Sequence, residues 1–172
     1  MTAALVISIG VIALLSGGLL AGQDSPGVAS SGGPLGVQYP DLGDAHLEPG
    51  SLHPVYDSQP PTSGAHVPLT VSRDGSELSD DQLLSVLAAG DVVIMYGTAR
   101  PPRGLESLAR ANAAPFTPAL ASAGQAVILA RRPGTNGLIG LAWTHLVQVA
   151  SAGDPTLRSF VLFWLGRGTP GH

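Results

Sequence analysis

Nineteen consecutive residues, Ala3 to Ala21, carry no charge, and only Ser8 and Ser16 place polar side chains among them. At about 1.5 Å of rise per residue such a helix reaches just under about 30 Å, the hydrocarbon thickness of a bilayer. The run therefore predicts a transmembrane anchor over residues 1–22. A secretory leader has a basic n-region and a shorter apolar core, and this segment has neither, so the anchor is expected to be retained; cleavage after Gly18 or Ala21 is the alternative. Gly10, Ala13, Gly17 and Ala21 recur at spacings of three and four, which lines small side chains along one face of the helix. That stripe predicts close approach by transmembrane helices of a larger protein complex. The pattern then changes. Residues 23–45 show neither hydrophobic period and read as a flexible tether. Residues 46–78 are short Pro-punctuated pieces with three His and read as ordered loops.

Regular periodicity begins at Ser79. Ser79-Asp80-Asp81-Gln82 is a capping-box pattern with acids in the first turn, Leu83, Leu84, Val86 and Leu87 supply a buried face, and Gly90 is the stop, predicting a helix from about 80 to 89. Asp91 to Gly97 is β-branched and apolar, a buried strand. Leu105, Leu108 and Ala109 line a helix that ends near Ala114, before Pro115. Gln125 to Ala130 predicts a second strand and Leu138 to Val149 a third. Asp154-Pro155 is an N-cap followed by an N1 proline, ahead of Leu157, Phe160, Val161, Trp164 and Leu165 at helical spacing. The expected order is αβαββα, a small α/β sandwich over residues 79–168 with a tail at 169–172. The first two strands should be parallel and the next pair antiparallel. This half resembles the C-terminal part of a thioredoxin-like fold by analogy. Trp143, Phe160, Phe163 and Trp164 are expected in the core or facing a membrane.

Composition narrows the chemistry. The chain has 172 residues, 8 basic and 12 acidic, for a net charge of −4, and all the bases are Arg. That balance argues against a nucleic-acid partner. No Cys is present, which rules out a disulfide, a thiolate site and Cys-x-x-Cys redox chemistry. Between Gln23 and Ser72 there are five acids (Asp24, Asp41, Asp44, Glu48 and Asp57) and no base. With no basic residue near the anchor to hold the body inside, the expected topology is single-pass in a bacterial inner membrane, N-terminus in, with an extracytoplasmic body.

The stretch from His46 to His66, with Tyr56 and then Pro60-Pro61-Thr62-Ser63-Gly64-Ala65-His66, resembles the signature of an uncharacterised bacterial family of membrane-anchored extracytoplasmic domains. That family carries H, then Y, then PPTSGPH, and later vHslEHG before an apolar strand. The resemblance spans about residues 40–168. It departs at the second motif, where this chain reads Leu84-Ser85-Val86-Leu87-Ala88-Ala89-Gly90. Ser85, Ala88 and Ala89 fall where the resemblance implies His and Glu.

His46 and His66, with His53 or His145 as further ligands, form a candidate copper or zinc site, since imidazole suits both metals and no thiolate competes. The opposing reading has these rings bonded to backbone carbonyls in a Pro-rich loop. Ser63, three residues before His66, is the one candidate nucleophile of a secreted hydrolase. No G-x-S-x-G elbow surrounds it, and no acid is placed to orient the base. Asp80-Asp81 is explained by capping instead of carboxylate catalysis. The function expected is therefore a non-catalytic accessory subunit without a cofactor, recruited to a respiratory or photosynthetic membrane complex, with a periplasmic metal-binding domain as the alternative.

Overall fold

The computed structural model describes residue 33 and residues 35–170. The expected anchor over residues 1–22 and its stripe of Gly10, Ala13, Gly17 and Ala21 lie outside the described residues. Among the described residues, no helix is long and apolar enough to cross a membrane.

The chain runs β1 (Val37–Gln38), α1 (Asp80–Ala89), β2 (Val92–Tyr96), α2 (Leu105–Asn112), α3 (Pro118–Ser122), β3 (Val127–Arg131), β4 (Leu138–Ala142), β5 (His145–Val149) and α4 (Pro155–Trp164). The five strands form one mixed sheet in the order β1-β5-β4-β2-β3. β2 and β3 are parallel, as a crossover through helices requires, with Ile94 opposite Leu129. The other pairings, β2 with β4, β4 with β5 and β5 with β1, are antiparallel.

Side chains alternate between the two faces of this sheet, and helices cover both. Val93, Met95, Ile128, Ala130, Ile139, Leu141 and Trp143 pack toward α1 and α3. Val92, Ile94, Tyr96, Val127, Leu129 and Leu138 pack on the opposite side with Leu105 of α2 and Leu157, Phe160 and Val161 of α4. β2 is buried at all five positions because it lies inside the sheet and under helices on both sides.

The local signals operate as their chemistry dictates. Ser79 accepts from the Gln82 N–H while the Gln82 side chain accepts from the Ser79 N–H, closing the capping box, and Gly90 ends α1 at φ 114. Asp154 accepts from the Thr156 N–H ahead of Pro155.

Three expectations are corrected. The strand expected over Leu138 to Val149 is a hairpin: the chain reverses at Trp143-Thr144, with Thr144 at φ 60, a rare conformation for a β-branched residue. β4 pairs antiparallel with β2 and β5, and not with β3 as expected. Two elements join the expected αβαββα order: α3, started by Thr117 and Pro118, and β1, which forms inside the segment expected to be tether over residues 23–45. From residue 79 on, the order is αβααβββα.

The link from β3 to β4 passes over the end of β2. Arg132 N–H donates to the Tyr96 carbonyl there, and a β-carbon on Gly97 would stand 2.2 Å from the Thr135 carbonyl oxygen. Gly97 is thus where the crossing chain touches backbone to backbone. On the far side of β3, residues 74–76 run alongside it: Gly75 N–H donates to the Leu129 carbonyl and Arg131 N–H to the Ser76 carbonyl. This shields an edge that would otherwise present unpaired backbone groups.

At the start of β2, the buried Asp91 accepts the Ala126 N–H through Oδ1 at 2.7 Å. Among the described residues, no group hydrogen-bonds its buried Oδ2. Burial, only partly offset by the Ala126 N–H, pushes this carboxyl up to about 7.

Candidate functional site

The Pro-rich stretch that carries the candidate chemistry lies as a loop layer over α1, on the same face of the sheet as Trp143. Residues 60–64 are buried although they belong to no helix or strand. A buried loop must place its backbone groups, and this one pairs them with the chain leaving β1. Gly64 N–H donates to the Gly43 carbonyl, His66 N–H to the Ala45 carbonyl, and Leu47 N–H to the His66 carbonyl. His46 and His66 are thereby bridged in parallel register. The Thr144 N–H donates to the Thr62 carbonyl and ties the layer to the β4–β5 turn.

Each polar side chain of the layer has a position set by this pairing. The Ser63 hydroxyl donates to the Pro40 carbonyl at 3.0 Å and accepts the Leu42 N–H at 3.1 Å. Tyr56 donates to the Ala65 carbonyl at 2.9 Å, and its ring fills the space beside Gly64, where a β-carbon would come within 2.8 Å of it. Gly64 sits at φ 128, so the absence of a side chain serves both the backbone and the ring. Burial raises the Tyr56 phenol, with the Asp81 and Asp80 carboxylates adding to the rise.

The imidazoles fall into three places. His66 is 1% exposed, and its Nδ1–H donates to the Gly64 carbonyl at 3.0 Å. The His46 ring meets it edge-on with centroids 5.8 Å apart. His53 instead donates to Asp81 Oδ1 at 2.8 Å. His145, at the start of β5, stacks on Trp164 at 3.9 Å and donates from Nδ1 to the Trp143 carbonyl at 3.1 Å. Burial lowers its pKa against that hydrogen bond. The fold therefore brings His46 and His66 together and gives His53 and His145 other partners. Among the described residues, no three His, Asp or Glu side chains converge as a group able to hold a metal ion.

Two residues of α1 complete the site, and sequence spacing alone did not single them out for it. Asp81 accepts the Val67 N–H at 2.8 Å as well as the His53 ring. Burial alone would raise this carboxyl, but those two donors outweigh it and hold it below its ordinary value. Ser85 accepts the Leu69 N–H at 3.0 Å and donates to the Asp81 carbonyl at 2.7 Å. The i, i+4 spacing of Asp81 and Ser85 on one helix face was the available signal. Ser85 is also where the resemblance implies His, and here its hydroxyl fastens the loop to the helix.

At the tip of the layer the chain turns outward. Leu52 and Val55 are each 95% exposed, beside the His53 that clasps α1.

These features define a mixed α/β domain, helices on both sheet faces, with a Pro/His loop layer, buried over residues 60–64, clamped to its first helix. The chain belongs to the family described as protein of unknown function (DUF3105), whose model matches residues 53–170. Tyr56, Ser63 and His66 fall inside the match, and His46 falls before it. No curated protein matches the chain, and no solved structure matches it.

Proposed function

We propose that this protein is a non-catalytic accessory subunit of a larger bacterial membrane complex, anchored by one helix over Ala3 to Ala21 with its body on the extracytoplasmic side. The observation that carries the reading is the pair Leu52 and Val55, two aliphatic side chains at 95% exposure on a stretch that His53, between them, fastens to Asp81 of α1. Isolated exposed aliphatics are common, but two on one projecting and fastened tip make a contact point for another chain. Among the described residues, the stretch from 35 to 72 holds four acids (Asp41, Asp44, Glu48 and Asp57) and no Arg, so a complementary surface would be an apolar recess with a basic rim. The Ser63 hydroxyl supports the same reading, because both of its hydrogen bonds go to backbone groups and none to a general base.

Respiratory and photosynthetic assemblies are the hosts this reading fits. The sheet from β2 to β5 with α4 fits the analogy to the C-terminal part of a thioredoxin-like fold, without its thiol chemistry, since the chain has no Cys. The test is copurification of the full-length tagged chain from native membranes in mild detergent. A defined set of membrane-protein partners is expected, with its recovery reduced at least about tenfold by Leu52→Ser combined with Val55→Ser. A monodisperse free monomer would remove the proposal.

A second reading, a periplasmic copper- or zinc-binding domain, has one observation in its favour. With Nδ1–H given to the Gly64 carbonyl, His66 keeps its Nε2 lone pair, the arrangement metal-ligating His adopts, and His46 is the adjacent ring. Elemental analysis of the purified chain and titration with copper(II) and zinc separate the readings. Stoichiometric metal that is lost in His66→Ala supports the second.

A further inference from the structure

The helix α4 buries Leu157, Phe160 and Val161 against the sheet and leaves its outward side uncovered. Leu162 is 60% exposed on that side, and Phe163 and Trp164 follow it half-buried. These side chains belong to a fixed cluster. Phe163 meets Trp164 edge-on with centroids 4.8 Å apart, Trp164 lies on His145 at 3.9 Å, and the Arg167 guanidinium stands 4.4 Å over the Phe163 ring. The Trp164 indole N–H donates to the Leu35 carbonyl at 2.9 Å, and Leu35 adds a partly exposed aliphatic side chain. Aromatic rings with a polar edge, an exposed aliphatic residue and an arginine lying along a ring are the side chains that settle where lipid headgroups meet acyl chains.

Charge points the same way. From Pro155 to Pro170 the chain holds Arg158 and Arg167 and no acid, and from Pro133 to Gly153 it holds no Asp, Glu or Arg. Asp154, at the far end of α4, is taken up in capping the helix. Asp41, the first acid after β1, leads into the loop layer on the opposite face of the sheet.

Position selects the occupant. In the anchored reading proposed above, on which this inference rests, the apolar run ends at Ala21, and thirteen residues separate it from Leu35. Even fully extended, that length reaches no more than about 50 Å, which ties the end of the body at Leu35 and Trp164 to the bilayer. The C-terminal end of α4 also meets the C-terminal end of α1, where Gly166 N–H donates to the Gly90 carbonyl. The tip at Leu52 and Val55 is fastened by Asp81 in the first turn of α1, at the other end of that ten-residue helix and about 15 Å away.

We propose that the outer side of α4, Leu162, Phe163, Trp164 and Arg167 together with Leu35, rests on the anionic lipid surface in which the chain is anchored. Leu162 and Phe163 enter the headgroup region, and Arg158 and Arg167 meet lipid phosphates. The contact orients the body, so that the tip at Leu52 and Val55 faces away from the lipid.

The two tryptophans of the chain make the contact measurable, because Trp143 is 4% exposed in the core and Trp164 belongs to the patch. The full-length protein is reconstituted into nanodiscs of phosphatidylcholine and phosphatidylglycerol, with and without lipids brominated at the acyl carbons nearest the headgroups. Bromine is expected to quench part of the tryptophan emission, and Trp164→Phe to abolish that part. Leu162→Glu, at an exposed position, should cut the quenching at least about twofold with an unchanged melting temperature, and discs of phosphatidylcholine alone should cut it about twofold. Leu162→Glu serves if Trp164→Phe does not fold. A chain that does not enter the discs removes the anchored reading and this inference with it. A chain that enters them without quenching, with quenching unchanged in the folded variants, or with equal quenching when phosphatidylglycerol is left out overturns the inference alone.

Discussion

Ser63 shows how a residue that looks like a nucleophile in one dimension becomes a fastener in three. Its hydroxyl is both donor to Pro40 and acceptor from Leu42, and it is fully buried. Ser63→Ala leaves the Leu42 N–H and the Pro40 carbonyl, both at exposed residues, without that partner, so the expected loss is about 1 kcal/mol of unfolding free energy, measured by urea denaturation. Gly64→Ala combines a left-handed backbone with a collision against the Tyr56 ring and should cost about 3 kcal/mol in the same assay. Asp91 supplies a prediction in pH. Its folded value of about 7 lies above the unfolded 3.8, so between these limits the unfolded chain releases a proton that the folded chain keeps. Its contribution is complete below about pH 4 and lost as the pH rises through 7, by roughly 4 kcal/mol over the window. Asp91→Asn, which retains an acceptor for the Ala126 N–H, should abolish this slope, with a melting temperature above wild type at pH 8 and below it at pH 4. None of these roles is readable from residue type. Ser63 and Asp91 take their character from partners 21 to 35 positions away in the chain.

The elements were legible where a local signal closes within one turn. The capping box at Ser79 and Gln82, the stop at Gly90 and the Asp154-Pro155 start all act within four residues, and α1 and α4 fall where they indicate. The same logic applied to Thr117-Pro118 would have found α3. The β4–β5 reversal was hidden because its turn is Trp143-Thr144, without the Gly, Asn or Asp that marks a tight hairpin. β1 has two residues, too few to show alternation. The loop layer could not be read as a packed unit, since its order rests on pairing with residues about twenty positions earlier. Gly97 is the element-scale test. Gly97→Ala drives a methyl group into the Thr135 carbonyl where the β3–β4 link crosses β2, and a loss above about 3 kcal/mol is expected. Thr135→Ala, which leaves that carbonyl in place, should not rescue it.

Across the whole molecule the charge is divided along the chain. All eight Arg lie at or beyond Arg73, while residues 23–72 contribute five acids and no base. Among the described residues, the layer before Arg73 carries four of these acids (Asp41, Asp44, Glu48 and Asp57) and no Arg, and the proposed contact tip lies in it. Leu52→Ser combined with Val55→Ser should change the melting temperature by no more than the equivalent of about 0.5 kcal/mol, because neither side chain is packed. A large drop would mean that the tip is part of the core and not a contact point.

The Leu35 carbonyl accepts from the Trp164 indole N–H, and two residues later the chain joins the sheet through β1. A pull on this end of the described chain is therefore applied to one indole bond and the shortest strand, and not to β2 at the centre. Under load this strap would peel away first while the core kept its shape.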